Sequence, residues 1–205
     1  LGFNLKNKGL IEDVKVTGSV TGNNDVAGIV NKIDEDGKIE NVAFVGKINS
    51  VGNNSTVGGI AGSNYMGFVN RAYVDATITA QNANASMLVP FVTYMLNSWK
   101  SGTKAKVTNS VAKGVLDVKN TRNVGGIVAK TWPYGAVQDN VTYAKVIKGQ
   151  EIFASNDVND EDGGPHIKDL FGVVGYSSAE DGTGKDTKSP KKLKHLTKEE
   201  ADKRV

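Results

Sequence analysis

The sequence predicts an all-β protein: a right-handed parallel β-helix, or solenoid, built from repeats, with irregular loops and a short helix starting near the C-terminus. Three observations predict it. A twelve-residue motif recurs five times, as GLIEDVKVTGSV from Gly9, GKIENVAFVGKI from Gly37, GFVNRAYVDATI from Gly67, AKVTNSVAKGVL from Ala105 and GAVQDNVTYAKV from Gly135. Each copy has an aliphatic anchor at its third position (Ile11, Ile39, Val69, Val107, Val137) and another nine residues later (Val20, Ile48, Ile78, Leu116, Val146). Seven residues after the first anchor, every copy has glycine or alanine: Gly18, Gly46, Ala76, Gly114, Ala144.

Each unit opens with a strand, because strings such as IEDVKV and IENVAF alternate with period two. A short apolar rung follows: VAGIV at Val26, VGGIA at Val57, LVPFV at Leu88, VGGIV at Val124 and a degenerate FGVVG at Phe171. Glycine in these rungs permits tight corners and close backbone approach. They do not form a phosphate loop, since no G-x-x-x-x-G-K-[ST] is present and no helical pattern follows. A unit of about thirty residues cannot bury its own apolar face, whereas stacked copies bury it continuously. First anchors recur after 28, 30, 38 and 30 residues, so the third coil carries an insertion. An antiparallel β-sandwich or propeller-like array is the competing arrangement, because periodicity alone fits both.

Residues 1–176 are read as the repeat domain and 177–196, charged and poor in apolar residues, as a flexible linker. Residues 197–205 are read as the start of a helical segment, with Thr197 and Glu200 at capping-box spacing. The chain begins at Leu1 in mid-pattern, as a piece of a larger protein would. Its net charge of +3 gives no electrostatic case for nucleic acid, and no apolar run approaches the roughly 18 residues that insert into a membrane. The absence of cysteine excludes disulfides, thiolate catalysis and Cys-ligated zinc.

Catalytic chemistry finds no foothold. The two histidines, His166 and His195, stand 29 residues apart, and neither opens an H-E-x-x-H zinc motif. No G-x-S-x-G nucleophile elbow occurs. The acidic stretch Ser155 to Pro165 alternates Asp157, Asn159 and Glu161, but Asp162 and Lys168 stand where a calcium loop needs glycine and a bidentate glutamate. Asn54, Asn84 and Asn140 sit in formal glycosylation triplets and are read as turn residues. No catalytic, cofactor-binding or metal-ligating residue is assigned.

Aromatic residues and a methionine gather after the rungs: Tyr65 and Met66 after the second, Tyr94 and Trp99 after the third, Trp132 and Tyr134 after the fourth. Equivalent loops of a solenoid project from one edge, and such side chains are enriched at binding hot spots, so these six are the candidate partner-binding residues.

The alternation of G-x-I-x-N-V halves with V-G-G-I-A-G halves resembles the GLUG-type repeats of Gram-positive surface proteins. More narrowly, DVAGIVNKID, KIENVAFVGKI and STVGGIAGS resemble the region preceding the catalytic domain of the streptococcal immunoglobulin A proteases, a family of cell-wall-attached zinc metalloproteases. The resemblance implies a non-catalytic recognition or positioning domain of a secreted virulence enzyme that cleaves the antibody heavy-chain hinge. Zinc then resides in another domain of the parent protein, the partners are the immunoglobulin A heavy chain and other domains of the same polypeptide, and the location is extracellular, at the bacterial surface or cell wall. Two other classes compete: a carbohydrate-binding or carbohydrate-active solenoid, and a structural spacer or adhesin module. The residue after each first anchor, Glu12, Glu40, Asn70, Thr108, Gln138, loses its acidity after two copies, which argues against paired catalytic carboxylates.

Overall fold

The computed structural model describes residues 2–5, 9–34, 36–93, 105–131, 136–147, 153–156, 174–175 and 194–195. In chain order its strands are β1 (Gly2–Leu5), β2 (Leu10–Gly22), β3 (Val26–Ala27), β4 (Val30–Asp34), β5 (Lys38–Gly58), β6 (Ala61–Tyr65), β7 (Phe68–Ser86), β8 (Phe91–Thr93), β9 (Lys106–Thr108), β10 (Val111–Gly125), β11 (Val128–Thr131), β12 (Ala136–Gln138), β13 (Val141–Thr142), β14 (Lys145–Val146), β15 (Phe153–Asn156), β16 (Val174–Gly175) and β17 (Lys194–His195). The described residues contain no helix. All strand pairs among them are parallel; those of the two larger sheets join one coil to the next and stack as a β-solenoid of about four turns, while β16 and β17 form a separate two-stranded sheet. Parallel pairing rules out the antiparallel sandwich. The helical start at 197–205 lies outside the described residues, as does the linker at 177–196 apart from the two residues of β17.

The anchors line up as the repeat requires. Ile11 faces Ile39, Ile39 faces Val69, Val69 faces Val107 and Val107 faces Val137. Val20, Ile48, Ile78, Leu116 and Val146 form a second row. From the second coil onward both rows are buried. Phe44 and Val74 lie between them, each 0% exposed, because residues two apart on a strand share a face. The small-residue column pairs Gly18 with Gly46, Gly46 with Ala76 and Ala76 with Gly114. Gly18, Gly46 and Gly114 have φ of +134°, +150° and +105°, and a Cβ on Gly46 would lie 1.9 Å from the Gly18 carbonyl oxygen.

One rung falls in a different place from that expected. Val57 pairs with Ala85, and Ala85 with Val124, so the third rung starts at Ala85 rather than Leu88. Leu88 instead joins the buried row of Ile29, Ile60 and Ile127, linked by Ile29 N–H donating to Ile60 O and Ile60 N–H to Leu88 O. Ser86 and Met87 thus occupy the places of Gly58 and Gly59, which hides the equivalence from string comparison. Tyr65 pairs with Thr93 and Phe68 with Lys106, so the extra residues of the third coil fall between Thr93 and Lys106.

Candidate binding groove

Period-two alternation turns the residues on either side of Ile11, Ile39, Val69 and Val107 outward. The position before the anchor forms the column Leu10, Lys38, Phe68, Lys106, Ala136; the position after it forms Glu12, Glu40, Asn70, Thr108, Gln138. The next residue bends the chain. Asp13, Asn41, Arg71, Asn109 and Asp139 all adopt positive φ, between 51° and 54°, one per coil. Aspartate and asparagine tolerate this left-handed conformation because their short side chains bond locally. Arg71 is the exception, and its guanidinium is anchored by an ion pair to Glu40 Oε1 at 2.7 Å.

Between these columns runs an open groove of about 830 Å³. Its floor is the half-buried Phe68 ring, in register between Lys38 and Lys106, with the Lys106 ammonium 5.7 Å from the ring centroid. Its wall is a polar chain: Asn70 Nδ2 donates to Glu40 Oε1 (2.8 Å), while Thr108 Oγ1 (2.9 Å) and Asn109 Nδ2 (2.8 Å) donate to Asn70 Oδ1. Asp36 and Asp139 also line it. Glu40 Oε1 is engaged by both Asn70 Nδ2 and the Arg71 guanidinium. Among the described residues no group of three or more His, Cys, Asp and Glu side chains is placed to hold a metal. The groove offers an aromatic floor, two cations and fixed amide dipoles: the chemistry of holding a ligand.

A buried asparagine fixes the corner beneath it. Asn64, 0% exposed, donates to Gly67 O (3.0 Å) and Lys106 O (3.2 Å), and accepts from Gly67 N–H at 2.8 Å. This bonding orients the turn that delivers Phe68 and Lys106.

Of the six candidate partner-binding residues, two are described. Tyr65 is half-buried, and Lys32 of the preceding coil lies 4.6 Å from its ring centroid while pairing with Asp34 at 3.1 Å. Met66 is buried, at 9% exposure, with φ of +68°, which leaves it little surface to present. Tyr94, Trp99, Trp132 and Tyr134 lie outside the described residues, as do His166 and most of the acidic stretch. Asn140 is fully buried, accepting from Ser110 N–H and donating to Val107 O, and is a corner residue. Asn84 accepts from Asn123 Nδ2 at 2.9 Å. The groove lies on the other side of the anchor from the acidic column of the sequence: the residue before each anchor carries Lys38, Phe68 and Lys106.

No family model matches the chain, and no solved structure matches it. Zinc metalloprotease ZmpB of Streptococcus pneumoniae serotype 4 is 50% identical over 208 residues, covering 100% of this chain and 11% of that protein. Zinc metalloprotease ZmpC of the same organism is 32% identical over 152 residues, covering 71% of this chain and 8% of that protein. The chain thus spans about a tenth of the length of these relatives.

Proposed function

We propose that this chain, homologous along its whole length to a segment of a streptococcal zinc metalloprotease, is a non-catalytic module that holds a polypeptide substrate for a zinc centre carried elsewhere in a longer, surface-attached enzyme. The observation that carries this reading is the groove: Phe68 set between Lys38 and Lys106 by the parallel register of successive coils. An aromatic ring flanked by long cationic side chains suits an extended peptide, because the ring gives contact area at low entropic cost and the ammonium groups engage carbonyls and acids. The resemblance to the immunoglobulin A proteases makes the antibody heavy chain, cut at its hinge, the substrate to try first.

The test is kinetic. In the full-length protease, Phe68→Ala combined with Lys38→Ala should raise KM for the heavy chain about tenfold to thirtyfold, as loss of one hot-spot aromatic does, and leave kcat within a factor of two. An unchanged KM would reduce this domain to a spacer. A collapse of kcat at constant KM would contradict a binding role.

A further inference from the structure

The long strand β2 stands at an edge. It pairs with β5 and with no other strand among the described residues. Its inward row, Ile11, Val14, Val16 and Val20, is only partly buried. The residues in register one coil further in, Ile39, Val42, Phe44 and Ile48, are 0–3% exposed.

Yet β1 does not end at that edge. It lies on β4, with Gly2, Asn4 and Leu5 opposite Val30, Lys32 and Ile33, as β4 lies on β6. A glycine corner follows each: the Gly9 carbonyl accepts from Lys38 N–H as the Gly37 carbonyl accepts from Phe68 N–H. β1 is therefore the closing strand of a coil whose long strand would sit on β2.

Gly18 supplies an independent sign. In its column, Gly46 and Gly114 combine positive φ with a carbonyl of the preceding coil, 1.9 and 2.1 Å from where a Cβ would be. Gly18 has the same class of backbone, at φ +134°, but a Cβ there would meet nothing within 4 Å. The edge keeps the shape of a position that receives a neighbour.

We propose that β2 is covered, in the longer polypeptide, by one further parallel coil of the same repeat, supplied by chain preceding Leu1. The relatives, of which this chain spans about a tenth, have ample chain for it. Bare parallel edges with an aliphatic row are a pairing hazard, and covering one with a strand satisfies its outward N–H and C=O groups while burying the row. The covering strand carries aliphatic residues over Ile11 and Val20 and its backbone over Gly18. This inference is independent of the function proposed above.

Hydrogen exchange read by mass spectrometry on residues 10–22 tests it, comparing the 205-residue chain with the full-length polypeptide. The outward amides of β2 should exchange at least roughly a hundredfold more slowly in the full-length protein, while those of β5 stay alike. Gly18→Ala should speed exchange across β2 in the full-length protein as Gly46→Ala should across β5, and should speed it about tenfold less in the 205-residue chain, where the new methyl group meets no neighbouring backbone and only the strain at φ +134° applies. Equal β2 exchange in both proteins overturns the proposal. So does protection of β2 in the isolated chain that rises with concentration alongside dimer formation in the ultracentrifuge, since a second copy would then be the occupant.

Discussion

Replacing Gly46 by alanine tests the stacking argument at its tightest point. The new Cβ would lie 1.9 Å from the Gly18 oxygen, 2.9 Å from its carbonyl carbon and 3.1 Å from its nitrogen, all backbone atoms of the neighbouring coil. Ordinary contact begins at about 3.5 Å, so the coils must part by more than an ångström across a ladder whose hydrogen bonds do not stretch that far. Backbone strain at φ +150° contributes about 1–2 kcal/mol, overpacking about 1–3, and one lost hydrogen bond about 1. The total is about 3–6 kcal/mol. Gly18→Ala is the matched control, with the same column and a φ of +134° but no atom within 4 Å of the new methyl group, so only the strain of about 1–2 kcal/mol applies. For a chain of this size each kcal/mol lowers Tm by about 2–4 °C. Thermal melts followed by circular dichroism should therefore show a loss of about 10 °C for Gly46→Ala and about 4 °C for Gly18→Ala. Ala76, in the same column, has no positive φ. If the backbone at Gly46 relaxes to that shape, the two variants will melt alike and the steric reasoning fails.

Asn64→Ala should cost about 3 kcal/mol in urea unfolding, because it strands the buried Gly67 N–H and removes two donors to carbonyls; a loss under 1 kcal/mol would mean that water or a shifted turn replaces the side chain. The Tyr73 phenol is held above its ordinary value of 10.0, first by burial and then by the charge of Asp75 and a hydrogen bond to it. The folded state therefore keeps the proton that the unfolded chain releases, so this stability is present below pH 10 and lost as pH rises towards the raised value. Tyr73→Phe should flatten the fall in urea midpoint between pH 9 and 11; an unchanged slope would refute the assignment.

Much of the fold is legible in the sequence for one physical reason: in a solenoid, equivalent residues of successive coils are nearest neighbours. Ile11, Ile39, Val69, Val107 and Val137 stack because each fills the same place against the last, and a column of that kind shows as a period. The third rung starts at Ala85 and does not show as a string, because Met87 fills a site that is Gly59 one coil earlier. The groove was legible only in part. Lys38 and Lys106 are cations while Phe68 between them is aromatic, so no single repeated residue type flags the column, and their meeting depends on register.

The sequence by itself determined the repeat, the rows that face inward, the column that must stay small and the place of the insertion, because each of these is a local preference copied coil after coil. Tertiary structure alone decided the parallel pairing, the corner of left-handed residues from Asp13 to Asp139, the engagement of Glu40 Oε1 by Asn70 and Arg71, and the uncovered face of β2. Those depend on which backbone lies beside which. A carbonyl 1.9 Å from a missing methyl group belongs to a residue 28 positions away.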